Sequence, residues 1–237
     1  MDLSEATWPD VADADTDLAV LPVGSTEQHG PHAPLGTDTI TAAAVADAGT
    51  DAYDGAVVVA PTIPVGVSAE HRQFTGTLWL SPDTFRSVIR DVVTSLASHG
   101  LTRVVVVNGH GGNTPALGEV CAALTREGTA FTVPFTWFDS VDADVGHAGR
   151  VETSVLQAVA PDTVRDDRRE PGADAWGEWV AGVNLAVDTI EFTETGVVGD
   201  PTQADAATGE ALLDTAAAAL ATLLGAVAAR DWSPGPD

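Results

Sequence analysis

RVVVVNGHGGN, residues 103–113, sets four consecutive valines directly before a polar, glycine-rich run. A continuous apolar run without alternation suits a strand covered on both faces, as in a parallel sheet. On either side of it, LAVLPVG (18–24) and AVVVAPTIPVG (56–66) read the same way, and FTVPFTW (131–137) supplies a fourth strand. Helical stretches fall between them. TITAAAVADA (39–48) comes directly after Asp38, a good N-cap residue, and SPDTFRSVIRDVVTSLASHG (81–100) has Ser at the cap, Pro in the first turn and Gly at the end. Residues 114–127, 151–159 and 204–230 complete the helices. Alternating strand and helix predicts a layered α/β fold. With 237 residues, no repeats and no low-complexity linker, residues 1–237 are expected to form one domain.

The composition narrows the classes of partner. Thirty-five acidic residues face ten basic ones, every one of them Arg, for a net charge of −25. Such a surface repels itself at low salt and is screened at high salt, which reads as adaptation to the salt-rich cytoplasm of a halophile, with folding that needs molar salt. It argues against nucleic acid or an anionic membrane as a partner, because no basic patch is available to neutralise phosphates. Cys121 is the single cysteine, so an intrachain disulfide and a thiolate zinc cluster are both excluded, and any metal must be held by His, Asp and Glu. The start, MDLSEATWPD, lacks the apolar core of a signal peptide. The Ala-rich segment 206–230 is interrupted by Gly, Glu and Asp, and no membrane-spanning run is expected.

Open α/β sheets hold ligands beyond the carboxyl ends of their strands. Three polar loops fall there: TEQHGPHAPLGTDT (26–39), SAEHRQFTGT (68–77) with Glu70 and His71, and the NGHGGN run containing His110. Glu27 and His29 are two residues apart, so an extended chain points both to one side. A carboxylate beside an imidazole suits a borderline divalent ion, Asp38 could bridge two ions with its two oxygens, and His110 would close the set from another strand. Each motif also has a plainer reading. An isolated E-x-H is usually a surface pair, and GHGGN could cradle phosphate on backbone N–H groups at a helix N-terminus, although it lacks the Walker lysine. In GHAGRVETS (146–154), Glu152 could simply favour the positive end of a helix, while His147 in a Gly-flanked turn is a candidate proton carrier. Trp176 and Trp179 lie in a polar segment that either covers something or packs on the core.

Taken in order, LPVGSTEQHGPHAPLGTDT, VNGHGGN, GHAGRVETS and GVVGDPTQA resemble the creatininase family over nearly the whole chain. The resemblance implies a three-layer α/β/α sandwich with a mostly parallel central sheet, amidohydrolase activity on a small-molecule amide, and a homo-oligomer, usually a hexamer. It also implies two divalent ions (Zn²⁺, Mn²⁺ or Fe²⁺) that polarise a carbonyl and activate water. Its metal ligands map onto Glu27, His29, Asp38 and His110, and its later histidine and glutamate onto His147 and Glu152. Gly111, Gly112, Asn113 and His71 are expected around the substrate and the oxyanion. Creatinine-hydrolysing members carry a metal-binding Glu two residues beyond the NGH histidine, whereas this chain has Gly112 there. That leaves the second ion short of a ligand unless Glu152 supplies it, and it points to an HGGN-type branch. Such branches include the peptidase that trims the mycofactocin precursor and a deformylase of a formamidopyrimidine ribotide. A reading from a different class is a phosphate or sugar-nucleotide binding module without hydrolysis.

Overall fold

The computed structural model describes residues 1–235. Four parallel strands form the central sheet: β1 (Leu18–Val23), β2 (Val58–Val59), β3 (Arg103–Asn108) and β4 (Phe131–Thr136), in the order β2-β1-β3-β4. Between them and after them run α2 (Thr37–Asp51), α3 (Pro82–Ser98), α4 (Thr114–Arg126), α5 (Arg150–Val159) and α6 (Ala206–Ala228), preceded by the short α1 (Trp8–Ala12). An antiparallel hairpin, β5 (Trp179–Val180) and β6 (Val183–Asn184), projects from the segment between α5 and α6. Both faces of the sheet are covered. Ala19, Leu21, Val104 and Val106 pack with Phe85 and Ile89 of α3 and with Leu117 and Leu124 of α4. The alternate residues Leu18, Val20, Val105 and Val107 pack with Val45 of α2, Val155 of α5 and Leu220 of α6. This is the α/β/α sandwich that the family resemblance implies, and it accounts for the uninterrupted valine run, since a strand buried on both faces cannot alternate with polar residues.

Strand register gathers the polar loops. Val23 lies opposite Asn108, and Asn108 opposite Thr136, so three strands end abreast and deliver the loops beyond them to one edge. Two glycines let α2 come down onto that edge. A Cβ on Gly24 would stand 2.4 Å from the amide nitrogen of Thr39, and one on Gly109 would stand 2.2 Å from the carbonyl oxygen of Asp38.

Three local expectations are corrected, and one open choice is decided. The run 56–66 is not one strand: only Val58–Val59 join the ladder, and after Pro61 contact resumes as a single bridge from Ile63 to Val23. The two prolines in that run have no N–H to offer a ladder. Helix α2 starts at Thr37 with Gly36 as its cap, so Asp38 is not the cap but sits in the first turn, its carboxylate turned inward among histidines. Helix α6 is long and apolar enough to cross a membrane by length and composition, against the expectation from its Gly, Glu and Asp; in the structure Ala216, Leu220 and Leu224 are buried on the α2/α5 side. Neither Trp176 nor Trp179 packs on a core. Trp179 stands 60% exposed on the hairpin, and Trp176 meets the ring of His147 edge-on with centroids 5.8 Å apart.

Candidate metal centre

Each polar side chain at the strand ends is aimed by local structure. After β1 the chain turns through Gly30 in the left-handed region, and Glu27 and His29, both fully buried, face inward. After β3, Asn108 pins the NGH turn: its Oδ1 accepts from the His110 N–H at 3.1 Å and its Nδ2 donates to the His110 carbonyl at 2.8 Å. Before α5, His147 is held by a two-way backbone bridge to Val198, at 3.0 and 2.8 Å. The GVVGDPTQA stretch is thus the rail on which the GHAGR turn lies. Ala148, next to His147, adopts a φ of 52°, a conformation rare outside glycine, and its N–H donates to Glu152 Oε2 at 2.5 Å.

The acids and imidazoles crowd into short contacts. Asp38 turns Oδ1 to His29 Nε2 at 3.0 Å and Oδ2 to His110 Nδ1 at 3.3 Å. Glu27 Oε1 lies 3.2 Å from His110 Nδ1, 3.5 Å from His71 Nε2 and 3.9 Å from His147 Nδ1. Glu152 Oε1 lies 3.8 Å from His29 Nε2. Despite this crowding, both Glu27 oxygens, Asp38 Oδ2 and His29 Nε2 are buried and find no aligned hydrogen-bond partner among the described residues. Orphaned polar atoms of this kind are costly in a protein interior unless something else engages them. Donor atoms gathered this closely, several of them without an aligned partner, fit divalent cations. Three overlapping groups have ligand atoms within 4.8 Å of one another: Glu27, Asp38 and His110; His29, His147 and Glu152; Glu27, His71 and His147. Oxygen and imidazole donors without thiolate suit Zn²⁺, Mn²⁺ or Fe²⁺.

Protonation divides the four histidines. Burial opposes charge on His29, but the Asp38 and Glu152 carboxylates outweigh it and hold the imidazole well above its usual range. His110 is raised likewise, burial being outweighed by Glu27 and Asp38. Asp38 is held well below the carboxylate range, because His29 and His110 outweigh its burial. His71 is pushed down by burial and then by the neighbouring imidazoles, and His147 by burial and then by His29. His32, the second histidine of the opening loop, bonds Thr153 Oγ1 at 2.9 Å and is pushed down to about 4, mainly by burial. It is a core residue behind the site rather than a ligand.

A cavity of about 500 Å³ opens over the cluster, walled by Glu70, His71, Gly111, Gly112, Phe138, Asp144 and Trp176. Of the residues expected from sequence, Glu27, His29, Asp38, His110, His147, Glu152 and His71 come together, and Gly111 and Gly112 line the cavity. Asn113 does not line it. Its amide accepts from the Val67 N–H at 2.9 Å and donates to the Gly24 carbonyl at 3.1 Å, which ties three strand-end loops together. Gln28 escaped the sequence reading altogether. Its Nε2 lies 2.8 Å from both His71 Nδ1 and His147 Nε2, and a lone Gln carries no motif that would flag it. Among the described residues the cavity wall includes no arginine: Arg72 turns to Asp188, and Arg150 reaches Thr208 at 3.4 Å.

The profile of the family described as Creatininase, creatinine amidohydrolase, matches residues 4–224. The chain belongs to the creatininase family. It is 42% identical to the mycofactocin precursor peptide peptidase of Mycolicibacterium smegmatis over 203 residues, covering 81% of this chain and 78% of that protein. The creatinine amidohydrolase of Pseudomonas putida is 30% identical over 196 residues, covering 70% of this chain and 74% of the other. Among solved structures, a creatininase designated Mn superposes with a TM-score of 0.84 at 25% identity, covering 97% of this chain and 99% of that one. As a creatininase-family protein, the chain is a hydrolase of carbon–nitrogen amide bonds.

Proposed function

We propose that this creatininase-family hydrolase cleaves a peptide-like amide at a dinuclear metal centre. The observation that carries the reading is the convergence of Glu27, His29, Asp38, His110 and Glu152, with their orphaned atoms. Glu27, Asp38 and His110 would hold one ion, and His29, Asp38 and Glu152 the other, with Asp38 shared because its two oxygens already face the two groups. When bound, divalent ions supply Lewis acidity toward the scissile carbonyl and lower the pKa of an attacking water. The protein's own groups do the rest. His147, kept neutral by burial, accepts a proton at Nδ1 from the attacking water and returns it to the departing nitrogen. Glu152 is anchored at Oε2 by the Ala148 N–H, which leaves Oε1 free to face the cluster. Gly111 and Gly112 bring backbone to the cavity wall without side chains, as an oxyanion site requires.

Between the branches named by the sequence, the 42% identical relative supports a peptidase of the mycofactocin-precursor type. The lack of arginine in the cavity wall tells against a ribotide, whose phosphate needs cationic partners. The same lack tells against a phosphate-binding module. The surplus of 25 acidic charges supports a working environment of high salt.

Metal content by mass spectrometry on protein purified in high salt tests the centre. The wild type is expected to hold near two ions per chain, Asp38→Ala to lose both together, and His110→Ala to lose one. Two ions retained in Asp38→Ala would refute the bridging assignment. A wild type that takes up no metal would sink the hydrolase mechanism itself.

A further inference from the structure

On the cavity wall, Glu70 has no hydrogen-bonded cationic partner among the described residues. Glu70 lies on the turn Ala69–His71, and its side chain is 34% exposed toward the cavity. The nearest cation-capable atom is His110 Nε2 at 3.9 Å, but that nitrogen is already bonded to the Val67 carbonyl at 2.7 Å. Arg72, two residues along, turns away to Asp188, which Gln73 also engages at 2.5 Å. Gly112 keeps the space in front of Glu70 clear: a Cβ there would stand 3.0 Å from Glu70 Oε1 and 2.3 Å from the Val67 carbonyl oxygen. Phe138 and Trp176 furnish aromatic surface around the same opening, and Asp144 adds a second negative charge at its rim. A part-buried carboxylate without a donor is costly, and a ligand that brings a donor recovers the cost. Aromatic walls beside a carboxylate suit a cation in particular.

We propose that Glu70 selects the substrate, its carboxylate receiving an ammonium group carried by the amide that occupies the cavity. The substrate class is then a cationic amide, such as a peptide fragment with a free amine near the scissile bond, and amides bearing a carboxylate or phosphate at that end are rejected. The inference rests on the amide-hydrolase reading and extends it from the reacting atoms to the group that orients the substrate.

Isothermal titration of the manganese-loaded protein with three probes tests it: L-phenylalaninamide, which carries an ammonium; its N-acetyl derivative, which is neutral; and its N-succinyl derivative, which is anionic. Wild type is expected to bind the ammonium probe about tenfold or more tighter than the neutral one, with the anionic probe weakest, as a charge-assisted hydrogen bond supplies. Glu70→Gln should bring the ammonium and neutral probes to within about twofold of each other while holding the same number of metal ions, and Asp144→Asn should keep the wild-type ranking. Equal binding of the three probes by wild type, binding of none, or a ranking unchanged in Glu70→Gln overturns the proposal. So does a ranking levelled by Asp144→Asn instead. Loss of metal in Glu70→Gln would make Glu70 part of the metal set and likewise overturn it. Absence of metal in wild type is a separate result: it sinks the hydrolase, while the ranking of the probes is still read on the same protein.

Discussion

At Gln28 the side-chain amide lies among more acceptors than it has hydrogens. Oε1 accepts from the Gly30 N–H at 2.9 Å, which fixes the orientation of the amide and leaves Nε2 beside His71 Nδ1, His147 Nε2 and the Gly196 carbonyl. His147 Nε2 is also 2.7 Å from the backbone carbonyl of Gln28, a group that can only accept. The network therefore assigns the proton of His147 to Nε2, and its Nδ1 lone pair faces the cluster. The two amide hydrogens then go to His71 Nδ1 and Gly196. His71 consequently carries its proton on Nε2, 3.5 Å from Glu27 Oε1. Nitrogen-15 NMR should show both neutral rings as the Nε2–H tautomer in wild type. Gln28→Leu should leave His71 a mixture of tautomers and cost roughly 10- to 100-fold in metal affinity or turnover, the usual effect of losing a group that orients a metal site. Unchanged shifts in the variant would remove Gln28 from the mechanism. Histidines and acids at strand ends were legible in the sequence because few other reasons put them there. The amide was not, since its meaning lies wholly in which atoms surround it.

Helix α2 owes its position to two residues that have no side chain. Its first turn crosses the ends of β1 and β3 where Gly24 and Gly109 present bare backbone, and that approach carries Asp38 between His29 and His110. Gly109→Ala would drive a methyl group to 2.2 Å from the Asp38 carbonyl oxygen, and a backbone atom cannot rotate away as a side chain can. The helix must move, at a cost of about 1–3 kcal/mol by analogy with overpacked cores. Because Asp38 travels with it, the variant should lose its bound metal before it loses its fold, seen as absent metal with a far-ultraviolet dichroism spectrum close to wild type. A variant that keeps its metals would show that the loop, rather than the helix, positions Asp38. The sequence revealed the helices and the buried strands through their apolar runs. It overstated β2, where the prolines of APTIPVG interrupt the ladder, and misplaced the start of α2 by treating Asp38 as a cap. A carboxylate that suits a helix N-terminus also suits a metal, and only the surrounding histidines distinguish the two.

Across the whole molecule the two cores on either side of the sheet are built from valine, leucine and alanine, and the surface is left to aspartate and glutamate. Ten arginines cannot offset 35 acids, and several already serve local pairs: Arg86 with Glu119 and Arg90 with Glu127 join α3 to α4, while Arg103 meets Asp17 at the start of β1. The remaining repulsion is spread over the surface and favours any state that moves the charges apart. The Debye length falls from about 30 Å at 0.01 M salt to about 3 Å at 1 M, so screening should be nearly complete by then. Thermal unfolding monitored in KCl should show little folded protein at about 0.1 M, and a Tm that rises steeply toward about 1 M and then flattens. Continued steep rise above 1 M would identify ion exclusion rather than screening as the stabilising effect. A Tm indifferent to KCl would mean that the acidic surface is accommodated in the fold without help from the solvent.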